Sequence, residues 1–587
     1  MNMSIKFKVA SLLIIVIINL LIFESLTCGQ ESSFSSDNPL ATKSDINSKS
    51  LEIFSELDMH ALNAPERAEN SIESLAAYLT KPAKNDTEKV RAIYRWIAEN
   101  IDYDVQGFSS GSYGDTSAEG VLKSGRSVCG GYSNLFEKLA NASGLDAVTI
   151  SGYAKGYGYT PGMRFSGPTD HAWNAVKIEE KWYLIDSTWG AGSVDNDGKY
   201  NREFDDDYFL TPSGEFIYRH FPENPNWQLL DEPISKKDFE DLVYLEPTFF
   251  DLGMRIGNQK NVTIISNGQA NISLYAPKDV FLSAELEMRS RNGIPRVAYG
   301  SPTLVKRSGE QYIIELLPPF PGEYSLQIYG KRDNSKGLFE QVMEYNIEEL
   351  SGSNRSFPIV SDEFFDLGFR LDNKTNGMIV AKGDANLTLD VPTDVLMIAS
   401  LEKLGEGKIS PTDYSKSVFV QRSGDQYEIT LSPPTTGEYI LNIFAKQKDD
   451  SSNSYPMVMQ FNVSALSGSN RSFPETFGGF QEMGVYLFSP MAGEVKAAYN
   501  QTFKIKIPGA KEVAVISGDR WNYLTKNGDI FQGNAIIKKG DVDVVVKLSM
   551  SNLITSLTSL PKKGDVGVAV KLSGESGYST IIRYRAF

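Results

Sequence analysis

Cysteine is nearly absent from this sequence of 587 residues, which contains Cys28 and Cys129 and no other. Chains that fold in an oxidising compartment usually contain disulfide bonds, and this composition excludes a disulfide framework. If Cys28 is removed or lipidated, Cys129 is left as a free thiol that such a compartment would oxidise. A thiol retained under these conditions indicates a chemical role.

The sequence has three histidines, and it lacks a phosphate-binding loop, a nucleotide-binding fingerprint and a zinc signature. The acidic stretch at 195–207 does not have the regular ligand spacing of a calcium loop. We therefore expect no cofactor and no metal ion. The net charge of −16 argues against a nucleic-acid-binding surface. The expected partners are protein or peptide substrates.

One long apolar run lies at residues 10–23, after two lysines, and no other run could span a membrane. It is shorter than the roughly 20 residues that a spanning helix needs and is typical of a secretory signal peptide. We predict a signal peptide over 1–29 and a flexible leader over 30–55, and hence a secreted or cell-surface protein. Lipidation at Cys28 and an uncleaved N-terminal anchor are the alternatives, and an N-terminal anchor of one of these two kinds would be the only link to a membrane.

The C-terminal half of the sequence is repetitive. FFDLGMRI at 249–256 recurs as FFDLGFRL at 364–371 and, more loosely, as FQEMGVYL at 480–487. A period of about 115 residues with short β-rich segments and frequent turn residues is typical of immunoglobulin-like sandwiches. We expect these repeats to hold the protein on a cell-surface or extracellular polymeric partner. The predicted sandwiches cover residues 245–350, 360–466 and 475–587.

The region before the repeats, 56–240, has a mixed α/β pattern and is expected to fold without them. Apolar residues at helical spacing predict an amphipathic helix over 86–101, and a second helix is predicted to begin at Cys129. Strand-like segments follow this second helix.

Cys129 stands at the predicted start of its helix and is followed by Gly130 and Gly131. The free N–H groups and the positive dipole end of a helix stabilise a thiolate, which is the reactive form of cysteine. The two glycines allow backbone or substrate to approach closely. The Cys129 N–H is a natural donor to an oxyanion.

The segment HAWNAVKIEEKWYLID, from His171 to Asp186, predicts a β-hairpin. A two-residue turn at 179–180 would place Asp186 opposite Trp173, and so on the same face as His171. A three-residue turn would place Asp186 on the other face. Glu-Glu is an unfavourable sequence for a two-residue turn. The two-residue register is therefore inferred from the pairing of His171 with Asp186 that it would permit.

In that register His171 can accept or share the proton of Cys129, while Asp186 orients the imidazole and stabilises its charge. The candidate catalytic residues are therefore Cys129, His171 and Asp186. His60 and His220 are assigned structural roles.

The segments RAIYRWIAENIDYD, GRSVCGGYSNLFEKLA and DHAWNAVKIEEKWYLIDSTWG resemble the transglutaminase-like superfamily, and within it the kyphoscoliosis peptidase family. The resemblance implies a papain-like fold and maps the family's triad onto Cys129, His171 and Asp186. The expected fold class is α+β, with a papain-like transglutaminase-type domain at 56–240 followed by tandem all-β immunoglobulin-like sandwiches.

Three functions agree with these observations. The first is a secreted or cell-surface amide hydrolase, a thiol peptidase that acts through an acyl-enzyme. The second is a protein-cross-linking transamidase of the same fold, since an amine can replace water as the acyl acceptor. The third is a non-catalytic adhesion or scaffold protein. The complete triad argues against the third function, and the sequence favours neither acyl acceptor.

Overall fold

The computed structural model describes residues 54–195, 197–289, 301–333, 338–371, 375–405, 414–452, 454–477, 479–548 and 577–587. The predicted signal peptide at 1–29, including Cys28, lies outside the described residues, as does nearly all of the predicted leader at 30–55. Within the described ranges, no helix has the length and apolar character needed to cross a bilayer.

Residues 55–241 form the α+β domain. Its helices are α1 (Ser55–Leu62), α2 (Ile72–Leu79), α3 (Asp86–Asn100), α4 (Val105–Ser110), α5 (Ala118–Ser124), α6 (Cys129–Ala142), α7 (Ser213–Phe216) and α8 (Lys236–Asp241). Its strands are β1 (Asp102–Tyr103), β2 (Arg126–Ser127), β3 (Ala147–Ala154), β4 (His171–Ile178), β5 (Lys181–Ile185), β6 (Gly192–Val194), β7 (Tyr200–Arg202) and β8 (His220–Pro222).

The two helices predicted from periodicity are confirmed as α3 and α6. The Asn85 side chain caps α3 by accepting a hydrogen bond from the Glu88 N–H at 2.9 Å. The apolar faces of both helices are buried in one core with residues of β4 and β5. Its largest fully buried rings are those of Trp96, Tyr94, Tyr132 and Phe136.

A four-stranded antiparallel sheet, in the order β5-β4-β3-β8, packs against α6 through β3 and β4. Its β4–β5 hairpin turns at Glu179 and Glu180, both with positive φ (48° and 67°). Ile178 therefore pairs with Lys181, and the predicted two-residue register is confirmed. Asp186 follows β5 directly, at the position opposite Trp173.

Three β-sandwiches follow the α+β domain. The first consists of β9 (Tyr244–Leu245), α9 (Pro247–Asp251), β10 (Arg255–Ile256), β11 (Thr263–Ser266), β12 (Ala270–Tyr275), β13 (Val280–Met288), β14 (Thr303–Ser308), β15 (Gln311–Leu316), β16 (Gly322–Arg332) and β17 (Glu340–Glu349). Its sheets have the orders β11-β17-β16-β13, with β9 on β17, and β10-β12-β15-β14.

The second sandwich consists of β18 (Ile359–Val360), α10 (Asp362–Asp366), β19 (Met378–Lys382), β20 (Ala385–Asp390), β21 (Val395–Lys403), β22 (Val418–Ser423), β23 (Gln426–Leu431), β24 (Gly437–Gln447) and β25 (Met457–Ser467). Its sheets have the orders β18-β25-β24-β21, with β19 on β25, and β20-β23-β22.

The third sandwich consists of β26 (Glu475–Thr476), α11 (Gly479–Glu482), β27 (Tyr486–Ser489), β28 (Glu494–Val495), β29 (Asn500–Lys506), β30 (Ala510–Ser517), β31 (Arg520–Tyr523), β32 (Thr525–Asn527), β33 (Ile530–Ile536), β34 (Gly540–Leu548) and β35 (Ser579–Ala586). Its sheets have the orders β26-β35-β34-β30-β31, with β28 on β35, and β27-β29-β33-β32.

The repeated FFDLG motif has one structure in the three sandwiches. Each copy is a short helix (α9, α10 or α11) with a buried phenylalanine, followed by a glycine of positive φ. In the third and weakest copy, Gly484 has a φ of 62° and the Val485 N–H returns to the Phe480 carbonyl at 3.0 Å. The α+β domain and these sandwiches agree with the expected fold class.

Candidate active site

Cys129 is the first residue of α6 and is half-buried, with a free thiol. A Cβ at Gly131 would fall 2.0 Å from the Ser127 hydroxyl, so only glycine packs there. A Cβ at Gly130 would meet no atom within 4 Å. The two glycines therefore differ: Gly131 lets the helix start pack against Ser127, whereas a side chain at Gly130 would extend into open space.

His171, the first residue of β4, lies between the other two candidate residues. Its Nε2 is 2.7 Å from Asp186 Oδ2. The neighbouring Cys129 side chain raises the pKa of the same imidazole. Because Nε2 is engaged by the carboxylate, Nδ1 is the nitrogen left for the sulfur. The structure thus brings the three residues predicted from the sequence together at one site.

Asp186 is completely buried, yet its carboxylate has four donors. Oδ1 accepts the backbone N–H groups of Thr188 at 2.9 Å and Trp189 at 3.1 Å. Oδ2 accepts from His171, and also from His220 at 3.1 Å. Burial opposes ionisation, but the charge of His171 and the hydrogen bonds from both imidazoles outweigh it. The pKa of Asp186 is therefore held well below its usual range.

The same contacts make His171 a cation at neutral pH. Burial lowers the pKa of its imidazole, but the Asp186 charge and the hydrogen bonds to Asp186 and Cys129 raise it to about 10 overall. The imidazolium therefore lies beside the sulfur, at the start of α6. The site is suited to nucleophilic attack on a carbonyl carbon.

His220 is a residue of this site that sequence reasoning missed, because a structural role was all that its sequence context suggested. It lies on β8, which pairs with β3 so that Ala154 is opposite His220, while Gly152 is opposite His171. Side chains two residues apart on a strand share a face, so both imidazoles lie on the same face of the sheet. A strand of three residues is too short for a periodic pattern, so the sequence could not predict which face of the sheet His220 occupies.

Aromatic rings enclose the two imidazoles. Trp189 stacks on His171 with ring centroids 5.1 Å apart and lies 4.4 Å from His220. Phe216 stacks on His220 at 3.9 Å. These rings exclude water, so the ion pair at Asp186 is stronger than it would be on the surface.

Nitrogen and oxygen atoms of His171, Asp186 and His220 lie within 4.8 Å of one another, a spacing at which a metal ion could be held. The separations from Asp186 Oδ2, 2.7 and 3.1 Å, are those of hydrogen bonds. Both imidazoles use Nε2 for these bonds, so a cation bound here would have to replace the Nε2 hydrogens of His171 and His220. The arrangement as it stands is a thiol, an imidazole and a carboxylate with a second imidazole attached.

Comparison with protein families gives two matches. Residues 73–187 match the transglutaminase-like superfamily, and this range contains all three candidate residues. Residues 236–358 and 352–476 match the KY-like, immunoglobulin-like domain.

Comparison with curated proteins gives relatives of similar organisation. The chain is 30% identical to the kyphoscoliosis peptidase of Mus musculus over 486 residues, which cover 80% of this chain and 71% of the relative. It is 29% identical to the kyphoscoliosis peptidase of Homo sapiens over 508 residues, or 84% of this chain and 74% of that protein. It is 34% identical to the Lim and transglutaminase domain protein ltd-1 of Caenorhabditis elegans over 242 residues, or 38% of this chain and 33% of that protein.

Proposed function

Since the chain belongs to the kyphoscoliosis peptidase family, we propose that it is a cysteine-dependent amide hydrolase that cleaves peptides through an acyl-enzyme. The observation that carries this proposal is the meeting of Cys129, His171 and Asp186 at one site. His171 Nε2 lies 2.7 Å from Asp186 Oδ2, and the Cys129 side chain raises the pKa of the same imidazole. We further propose that the protein acts outside the cell, on the basis of the apolar run at 10–23 and the lysines before it.

In the first half-reaction the Cys129 thiolate attacks the amide carbonyl carbon, and the carbonyl π electrons move to oxygen. The backbone N–H of Cys129 lies at the helix start, where N–H groups have no partner within the helix, and it donates to this oxyanion. His171 Nδ1–H protonates the leaving amine as the C–N bond breaks. A thioester remains on Cys129.

In the second half-reaction neutral His171 removes a proton from water, and the resulting hydroxide attacks the thioester carbon. The C–S bond breaks, and the acid and the thiolate–imidazolium pair are released. Asp186 stays ionised throughout and holds the imidazole in place. An amine that reaches the thioester instead of water would give a new amide and the chemistry of a transamidase.

Active-site labelling tests the proposal. We expect an iodoacetamide probe to label the full chain and Cys28→Ala equally at pH 6, and to fail to label Cys129→Ala. Absence of labelling at Cys129 in the folded chain would contradict thiol chemistry and leave the scaffold function.

The acyl acceptor is decided by a second measurement. The chain is incubated with a peptide library and a biotinylated primary amine, and the products are identified by mass spectrometry. Cleaved peptides without biotin support the hydrolase. Biotinylated peptides that depend on Cys129 would show the transamidase instead.

A further inference from the structure

His220 and His171 share one oxygen of Asp186. The Nε2 atoms of His220 and His171 lie 3.1 and 2.7 Å from Oδ2, while Oδ1 is taken by the N–H groups of Thr188 and Trp189. A carboxylate has about four acceptor sites, so the capacity of Asp186 is filled. An ionised carboxylate only accepts, so each Nε2 must carry a hydrogen.

His220 is neutral in this arrangement. Burial lowers the pKa of its imidazole to about 4, although the hydrogen bond and charge of Asp186 act in the opposite direction. With its proton on Nε2, its Nδ1 is bare, buried and without a hydrogen-bond partner among the described residues. His220 is therefore a donor without a positive charge.

The other titratable groups near this pair keep it in that state. The positive charges of His171 and Arg219 lower the pKa of His220 further. Tyr208, whose ring centroid is 6.4 Å from that of His220, is neutral because burial raises its hydroxyl pKa well above the usual value. Tyr94 is neutral for the same reason, and the negative charge of Asp186 also raises its pKa.

We infer that His220 is a positioning residue, whose uncharged Nε2–H donor holds the Asp186 carboxylate ionised and directed at His171. A cationic group in its place would neutralise Asp186 and compete with His171 for the negative charge. A neutral imidazole adds a hydrogen bond and leaves that charge to His171. The consequence for reactivity rests on the thiol chemistry proposed above, whereas the protonation state of His220 does not.

The charge state is tested by NMR of the full chain labelled with ¹³C and ¹⁵N at histidine. The chain has three histidines, so the variants His60→Gln and His220→Gln assign every signal. We expect His220 to remain neutral with hydrogen on Nε2 from pH 5 to 8, while His171 stays protonated. A cationic His220, hydrogen on its Nδ1, or displacement of both Nε2 hydrogens by one equivalent of Zn²⁺ would overturn the inference.

The consequence for reactivity is tested by the pH dependence of Cys129 alkylation. His220→Phe keeps a ring but removes the donor that directs the Asp186 carboxylate at His171, so the thiolate–imidazolium pair that gives the acid limb is less well stabilised. We expect the acid limb of the profile to move to higher pH in His220→Phe, with about a tenfold lower rate constant at pH 5, and to be partly restored in His220→Gln. His60→Gln, whose imidazole contacts Tyr78 away from the site, is the matched control.

Circular dichroism shows whether His220→Phe is folded and melts at the same temperature as the unchanged chain. If it does, and the two pH profiles of alkylation superimpose, the positioning role is overturned. Failure of the proposed function has a different signature. In that case Cys129 of the unchanged chain would alkylate as an ordinary thiol, while the NMR result would still decide the state of His220.

Discussion

The guanidinium of Arg219 donates to the Glu246 carboxylate at 2.6 Å and joins the α+β domain to the first sandwich. The Glu246 N–H bonds the Val342 carbonyl of β17, so this carboxylate is fixed to the sandwich. Arg219 also lies 4.6 Å above the Trp189 ring, which stacks on His171. The first sandwich therefore supports the residues that surround the site.

Glu246→Gln should lower the free energy of unfolding by about 1–3 kcal/mol, because a largely buried guanidinium loses its charged acceptor. Urea denaturation measures this change. The control is Asp279→Asn, which breaks the more exposed Arg332–Asp279 pair and should cost no more than about 0.5 kcal/mol. Equal costs for the two variants would contradict the special role of Glu246.

The fragment 56–240 should melt at a lower temperature than the fragment 56–352. The shorter fragment loses Glu246 and also the Leu242 carbonyl, which accepts from the buried Lys155 ammonium at 2.7 Å. Differential scanning calorimetry of both fragments decides this point. The same melting temperature for both would show that the α+β domain folds independently, as the sequence pattern alone predicts.

His171→Ala should reduce the rate constant of Cys129 alkylation at pH 6 by about a hundredfold, because an ordinary thiol with a pKa near 8.5 is almost wholly protonated there. Asp186→Asn should reduce it in the same direction. Stopped-flow alkylation on the Cys28→Ala background measures the effect on one thiol. A rate that does not depend on His171 would contradict the thiolate–imidazolium pair.

The two imidazoles should make opposite contributions to stability as the pH changes. The folded pKa of His171, about 10, lies above its unfolded value of about 6.5, so its contribution is complete below pH 6.5 and is lost as the pH rises toward 10. The folded pKa of His220, about 4, lies below its unfolded value, so the unfolded chain takes up more protons and stability falls from pH 6.5 toward pH 4.

Differences between each variant and the unchanged chain isolate these contributions. His171→Gln should reduce the loss of stability between pH 6.5 and 10, and His220→Gln should reduce the loss between pH 6.5 and 4. Free energies of unfolding from urea titrations across this range provide the measurement. If the change of the free energy of unfolding with pH is the same in His171→Gln or His220→Gln as in the unchanged chain, the charge assigned to that histidine is wrong.

Replacing Glu179 and Glu180 by Asn and Gly should stabilise the protein by about 1–2 kcal/mol. Both glutamates have positive φ, which is costly for a residue with a Cβ and suited to Asn-Gly in a two-residue turn. The Lys177–Glu180 ion pair that is lost is on the surface and is worth little. Glu180→Ala, which loses the ion pair but keeps a Cβ at positive φ, should give no gain in thermal denaturation.

The sandwiches should direct the protein to its target without changing its chemistry. Removal of 359–587, which retains the first sandwich, should leave cleavage of a small soluble peptide unchanged and reduce cleavage of a surface-bound target, because the local concentration falls. Cleavage rates on both substrates, with the full chain as reference, separate the outcomes. Equal losses on both substrates would contradict a targeting role.

Local patterns in the sequence determined the elements that carry Cys129, His171 and Asp186. The spacing of apolar residues predicted α3 and α6, because helix neighbours three and four apart share a face. The strand pattern also predicted the hairpin, but its two-residue register was inferred from the chemistry it would permit, because Glu-Glu does not indicate a two-residue turn. The 115-residue repeat likewise predicted the sandwiches.

Tertiary structure alone decided that His220 joins the site, 34 residues beyond Asp186. The short strand that carries His220 is placed by its pairing with β3. The His220 imidazole is neutral because the rings of Phe216 and Trp189 pack against it and remove it from water. The Arg219–Glu246 pair depends in the same way on how β9 is held by the first sandwich. Local periodicity reports only which residues share a face, whereas charge state and long-range pairing depend on what each face packs against.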